Sequence, residues 1–175
     1  MSAGHDSLPA NARQVGLEKP RLQYGVDHDL CPGCGGPLAL RCLLETIEDL
    51  GCAQRAIGVI GIGCYTALTP LMDIDLVQAL HGRAPSVATG VKRMRPEGLV
   101  VALQGDGDMV SEGLQEVLHT AARGEPLTCV LLNNGVFGET GGHMTATTAI
   151  GQRTKNSLDG RDAAYHGHPI LIGDL

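Results

Sequence analysis

Tryptophan is absent from this chain, and one phenylalanine and three tyrosines make up its whole aromatic content. A core with so few rings must be built from aliphatic side chains. Excess positive charge is missing too: 13 Lys and Arg stand against 19 Asp and Glu, for a formal net charge of −6. The basic residues are scattered, which excludes a nucleic-acid binder, because phosphate recognition needs clustered Lys and Arg. No apolar run approaches the roughly 20 residues that span a bilayer, so no membrane partner is expected. The opening stretch MSAGHDSLPANARQVGLEKP is polar and lacks the apolar segment of a secretory signal. These absences point to a cytoplasmic protein with a flexible N-terminal arm over residues 1–23 and one domain over 24–175.

What the chain does have is glycine, 25 residues of it, and six cysteines. So much glycine implies a backbone that turns, or approaches ligands closely, at many points. A reducing cytosol makes a disulfide framework the wrong reading of the cysteines, and metal, cluster or redox chemistry becomes the default for a close pair. Cys31 and Cys34 form such a C-x-x-C pair in LCPGCGGPLAL. No second close pair exists to complete a zinc site. A redox dithiol and half of a cluster site both remain open from spacing alone. Cys42, Cys52 and Cys129 read as small buried hydrophobes.

Apolar periodicity predicts a helix over 36–50, strands over 56–63 and 75–80, a helix over 84–95 ended by Pro96, and a strand over 98–104. An amphipathic helix over 109–123, with Val110, Leu114, Val117, Leu118 and Ala121 on one face, and a strand over 127–134 follow. Alternating strands and helices with short connections give an α/β fold, doubly wound around a mostly parallel sheet whose ligand sites lie at the carboxyl ends of the strands.

Two of those ends carry oxygen ligands. After the strand ending at Gln104, Gly105 and Gly107 bracket Asp106 just before a helix begins, so backbone N–H groups and the positive helix end form a diphosphate cradle. The next parallel strand ends at Asn133 and Asn134. A carboxylate, an amide oxygen and a phosphate together suit Mg²⁺. Either feature alone is ordinary turn chemistry; together they resemble the GDG and NN motif of thiamine diphosphate enzymes.

The likeness extends beyond that motif. CPGCG, GIGC, HGRAPSVATGVKRMRP, GDGD, NNGVFGETGGHM, TT and GRD follow one another as in the β subunit of 2-oxoacid:ferredoxin oxidoreductases, from about Tyr24 onward. HGRAPSVATGVKR and GETGGHMTATT most resemble the branched-chain type, which uses 2-oxoisovalerate. The resemblance implies the thiamine diphosphate-binding fold, with Mg²⁺ held by the side chains of Asp106 and Asn134 and the carbonyl of Val136. It places cofactor contacts at Ile62, Gly63, Cys64, Tyr65, Thr89, Gly105, Gly107, Asp108, Gly138 and Glu139, and assigns no role to His143, where the family usually has glutamine. Cys31, Cys34 and Cys64 become ligands of a 4Fe-4S cluster. The family's fourth cluster cysteine and further strands lie beyond Leu175, so the chain reads as a truncated or shortened relative. The implied reaction is oxidative decarboxylation of a 2-oxoacid to acyl-CoA, with electrons passing through the cluster to ferredoxin.

The resemblance further implies that the activating glutamate belongs to an α-type partner subunit, with γ and δ subunits as additional candidate partners, and that no catalytic acid or base is expected in this chain. Alone, it is expected to be inactive. Arg83 reads as a loop anchor paired with an aspartate or as an anion contact, His81 as a loop histidine or a cofactor contact, and Lys92 and Arg93 as solvated. The alternatives are a cluster-free thiamine diphosphate-dependent decarboxylase or synthase domain, a non-catalytic fragment, and a nucleotide-binding or assembly module.

Overall fold

The computed structural model describes residues 19–175. Helix α1 spans Gly36–Asp49, with Pro37 in its first turn, where a missing N–H breaks no helical hydrogen bond. Leu40, Leu44 and Ile47, at i, i+4 and i+7, form its buried face. Gly51, at φ 65°, turns the chain out of it.

Four strands follow: β1 (Ala56–Ile60), β2 (Asp75–Gln78), β3 (Leu99–Gly105) and β4 (Thr128–Leu132). They pair in parallel in the order β2-β1-β3-β4. One core joins α1 to the sheet through Leu40, Leu44, Ile47, Ile60, Leu68 and Leu103. The other packs Ala84 and Ala88 of α2 (Ala84–Met94) on Val59, Val100 and Ala102 of the opposite face. A parallel sheet covered on both sides is the expected α/β solution. From β1 the chain steps outward to β2 and returns to β3 on the other side, so the strand order reverses between β1 and β3. That switch opens a crevice at their carboxyl ends.

Two expected boundaries move. The first strand stops at Ile60 rather than residue 63: the Gly61 N–H still donates to the Leu103 carbonyl at 3.0 Å, and the chain bends away at Ile62 and Gly63. The expected helix over 109–123 is broken into a π turn at Gly107–Glu112 and helix α3 at Leu114–Ala122. A π turn inserts one residue, which rotates the following helical face by about 100°. The apolar stripe therefore does not reach the core intact: Val110 is buried, while Leu118 and Ala121 are exposed.

Beyond β4, β5 (Val136–Phe137) and β6 (His143–Met144) pair as a short antiparallel hairpin. A one-turn helix, α4 (Ala163–His166), is capped by the Asp162 carboxylate, which accepts the Ala164 N–H at 2.7 Å. Of the flexible arm expected over 1–23, residues 1–18 lie outside the described residues. Residues 19–23 belong to the domain: Leu22 is buried, its N–H donates to the Glu48 carboxylate at 2.7 Å, and its carbonyl accepts the Asp73 N–H at 2.7 Å. No helix among the described residues is long and apolar enough to cross a membrane.

Candidate cofactor and metal site

The site grows out of contacts that only glycine permits. After β1 the chain turns through Gly61 and Gly63 into a 3₁₀ segment, Cys64–Leu71, which folds Tyr65 back over the strand ends. A Cβ on Gly63 would lie 2.7 Å from the Tyr65 ring and one on Gly105 would lie 3.2 Å from it. A Cβ on Gly107 would overlap the ring of Phe137. Both glycines of the GDG turn are thus covered by aromatic rings, two of the four in the chain.

Asp108 joins the loops. Its Oδ2 accepts the Tyr65 hydroxyl at 2.7 Å, the Gln104 amide at 2.8 Å and the Ile62 N–H at 3.2 Å. Its Oδ1 accepts the Gly82 N–H at 2.6 Å. One buried carboxylate therefore ties together the segments after β1, β2 and β3. Burial, and then the hydrogen bond to Asp108, hold the Tyr65 phenol far above its ordinary pKa. Asp108, expected as a cofactor contact, lines the cavity, and its carboxylate is committed to internal donors.

Asp106 sits one turn away, 1% exposed. Its Oδ1 accepts the Asn134 N–H at 3.2 Å, and its Oδ2 accepts the hydroxyls of Thr145 at 2.6 Å and Thr147 at 2.8 Å. Asp106 and Asn134, two of the three residues expected to hold magnesium, are therefore adjacent. The Asn134 side chain is folded onto its own loop, accepting the Val136 N–H at 3.1 Å, and Asn133 Oδ1 accepts the Gly135 N–H and lies 3.0 Å from the Thr147 oxygen, competing with Asp106 for its one proton. A buried carboxylate whose hydrogen-bond donors are all neutral, ringed by hydroxyl and amide oxygens, fits a hard divalent cation.

A cavity of about 400 Å³ opens over these strand ends. Its floor is Gly105 to Asp108, and one wall is Asn133, Asn134 and Val136 to Thr140. Ile62 to Tyr65 and Cys34 form the opposite wall. Cys34 and Cys64 thus face the same space, and the Cys34 N–H closes a turn onto the Cys31 carbonyl at 3.0 Å. All six cysteines are free thiols. Cys31, Cys34 and Cys64 do not gather their sulfurs within 4.8 Å of one another, whereas a closed zinc tetrahedron holds them roughly 3.8 Å apart. Burial raises the Cys64 thiol pKa, and the neighbouring Glu139 carboxylate raises it further.

Other expectations are redrawn. Thr89 does not line the cavity; it is buried in α2, donating to the Pro85 carbonyl at 2.9 Å. Cys52 is buried, but Cys42 and Cys129 are exposed, because Cys42 falls off the inward face of α1 and Cys129 lies on the edge strand. Arg83 anchors its loop through Glu116, at 3.0 Å, rather than an aspartate. Lys92 is not merely solvated: it donates to the Pro96 and Gly98 carbonyls at 2.9 and 2.7 Å, and Arg93 pairs with Glu125. His81 lines the cavity, its Nδ1 3.2 Å from Glu112 and 3.5 Å from Asp108.

Sequence reasoning gives no role to Thr145 and Thr147, which contact Asp106, or to Thr148 and Arg161, which hold the same loop. The available signals were TT and GRD, two motifs of the resemblance that carried no assigned role. Thr148 donates to the Gly135 carbonyl at 2.5 Å, fastening this loop to the asparagine turn.

A buried carboxylate and an asparagine turn thus stand at neighbouring parallel strand ends, over a glycine floor, on an α/β sheet. Residues 49–170 match the family described as thiamine pyrophosphate enzyme, C-terminal TPP binding domain, and the chain belongs to it. More particular likenesses follow. Ketoisovalerate oxidoreductase subunit VorA of Methanothermobacter thermautotrophicus is 39% identical over 145 residues, 83% of this chain and 30% of that protein. The 2-oxoglutarate oxidoreductase subunit KorB of Mycobacterium tuberculosis is 34% identical over 173 residues, 95% of this chain and 46% of the relative. A chain of the 2-oxoglutarate:ferredoxin oxidoreductase from Magnetococcus marinus, solved with 2-oxoglutarate, coenzyme A and succinyl-CoA bound, is similar with a TM-score of 0.79 at 30% identity. The match covers 90% of this chain and 53% of that one. This chain therefore spans only 30 to 53% of the length of these relatives.

Proposed function

We propose that the chain supplies the thiamine diphosphate site of a β-type subunit in a 2-oxoacid:ferredoxin oxidoreductase. The observation that carries the proposal is the buried Asp106 carboxylate beside Asn134, in a cavity that Cys34 and Cys64 also line. Asp106, the Asn134 side chain and the Val136 carbonyl would hold Mg²⁺, and Gly105, Gly107, Gly138 and Glu139 would border the diphosphate. Thiamine diphosphate supplies the carbanion chemistry of 2-oxoacid decarboxylation when bound. Cys31, Cys34 and Cys64 would hold a 4Fe-4S cluster, the electron path towards ferredoxin, and the chain would work with an α-type subunit and coenzyme A.

The cavity wall favours an apolar 2-oxoacid. Leu30, Ile62, Leu131, Leu132 and Phe137 line it, and no Lys or Arg does among the described residues. A second carboxylate, as in 2-oxoglutarate, would be desolvated there without a cationic partner. An apolar side chain of the 2-oxoisovalerate type gains from the same wall.

Mg²⁺-dependent thiamine diphosphate binding, measured by calorimetry with and without the α-type subunit, tests the site. Asp106→Ala and Asn134→Ala should each abolish it, and unchanged affinity in both would overturn the assignment. Anaerobic purification with iron and sulfide analysis tests the cluster: a brown chromophore should appear and vanish in Cys31→Ala. A colourless protein that still binds the cofactor would instead mark a cluster-free thiamine diphosphate enzyme.

A further inference from the structure

Arg161 is 6% exposed, yet none of its hydrogen-bond partners is a carboxylate. Its guanidinium is spent on six backbone carbonyls. Nη1 reaches Thr148 at 2.8 Å, Ala146 at 3.1 Å and Thr145 at 3.2 Å. Nε reaches Gly167 at 2.9 Å, and Nη2 reaches His168 at 2.9 Å and His166 at 3.2 Å. Three of those carbonyls belong to the threonine loop behind Asp106, and three belong to the segment at the end of α4. Oxygens aimed at a common point repel one another unless a cation sits there, so the loop's carbonyls face inward because the guanidinium is present.

With those carbonyls turned to Arg161, the hydroxyls of Thr145 and Thr147 are turned the other way, onto Asp106 Oδ2. The loop is pinned a second time by Thr148, whose hydroxyl donates to Gly135 and accepts the Thr145 N–H at 2.8 Å. Oδ2 takes the Thr145 proton and the shorter of the two contacts open to the single Thr147 proton, 2.8 Å against 3.0 Å to Asn133 Oδ1. Oδ1, held only by the 3.2 Å contact with the Asn134 N–H, keeps a lone pair for a cation.

We propose that Arg161 is a positioning residue for the metal-diphosphate site, acting through the Thr145 and Thr147 hydroxyls to orient the Asp106 carboxylate. The inference rests on the reading of Asp106 as a cation ligand. It extends that reading to an arginine on a distant segment that touches neither cation nor diphosphate. Lysine cannot replace it, because a single ammonium offers three donors and no planar fork.

The test is a Mn²⁺ titration of the full chain with saturating thiamine diphosphate, following loss of the free-ion electron paramagnetic resonance signal. Outer-shell partners of metal ligands typically contribute 10- to 100-fold to affinity. Arg161→Lys and Thr147→Val should therefore each weaken Mn²⁺ binding about tenfold or more, and the double variant should be little worse than either, since both break one chain of contacts. A melting point lowered by Arg161→Lys with Mn²⁺ affinity unchanged would mean a merely structural arginine and would overturn the proposal. If Arg161→Lys does not fold, Thr145→Val carries the test, and unaltered affinity there overturns it equally. Wild-type chain that takes up no Mn²⁺ would sink the cation reading of Asp106. Amide exchange decides Arg161 independently of any ligand: Asn134 N–H exchange should quicken in Arg161→Lys, and exchange as slow as wild type refutes the positioning role.

Discussion

Replacing Asp108 by asparagine isolates the contact that joins three strand ends. The carboxylate accepts four hydrogen bonds from Tyr65, Gln104, Ile62 and Gly82 while 3% exposed. An asparagine can place its carbonyl where Oδ2 sits and keep three of those donors. Its NH₂ must then face the Gly82 N–H, leaving that buried donor unsatisfied at a cost of about 1–3 kcal/mol. The three retained bonds also lose their charge assistance, so the sum is roughly 2–4 kcal/mol. For a chain of this size that corresponds to a melting point lower by about 4–16 °C. Urea unfolding and calorimetry measure it. A double-mutant cycle with Tyr65→Phe should show positive coupling, because the phenol and the carboxylate are direct partners. An Asp108→Asn variant within about 0.5 kcal/mol of wild type, or additive with Tyr65→Phe, would refute the reading of Asp108 as the internal clasp of the site.

Gly107→Ala should destabilise by about 1–3 kcal/mol because its Cβ overlaps the Phe137 ring, and combining it with Phe137→Ala should cost less than the two separately. Gly82→Ala meets both a φ of 70° and the Glu112 carbonyl at 2.6 Å from its new Cβ, so it should cost clearly more than Gly33→Ala, which has a φ of 80° in open space and pays roughly 1–2 kcal/mol of backbone strain; equal losses in urea unfolding would count against the close packing of Gly82 on the π turn. Because the Tyr65 pKa is raised in the folded state, the folded chain holds that proton more tightly than the unfolded one. Its contribution is complete below about pH 10 and is lost as pH rises beyond. The stability advantage of wild type over Tyr65→Phe should therefore shrink between pH 9 and 11, which chemical unfolding across that range measures.

The meeting of Asp106 with the asparagine turn was legible because its determinants are local: GDG and NN each sit at a strand end, and parallel pairing of β3 with β4 brings the two ends together. The clasp was not, since Asp108 finds its partners 26 and 46 residues away, in loops whose approach depends on the glycines they contain. Nothing in the spacing of Val110, Leu114 and Val117 signals a π turn, because a single inserted residue leaves the apolar composition unchanged while rotating the face. Cys42 and Cys129 were misjudged for a related reason: cysteine composition carries no direction, and only helix phase and strand order decide which side faces water. Arg161 was illegible because its partners are backbone carbonyls, which every residue has.

The scarcity of rings has a practical side. Of the three tyrosines, Tyr24 and Tyr165 are 64% and 90% exposed, and Tyr65 alone is buried, its hydroxyl bonded to a carboxylate. With no tryptophan to mask it, ultraviolet emission from this protein contains one optical probe seated in the cavity wall. A carboxylate hydrogen-bonded to a phenol quenches its emission by taking the excited-state proton, so loosening of the strand-end loops is expected to register as brightening, without any label.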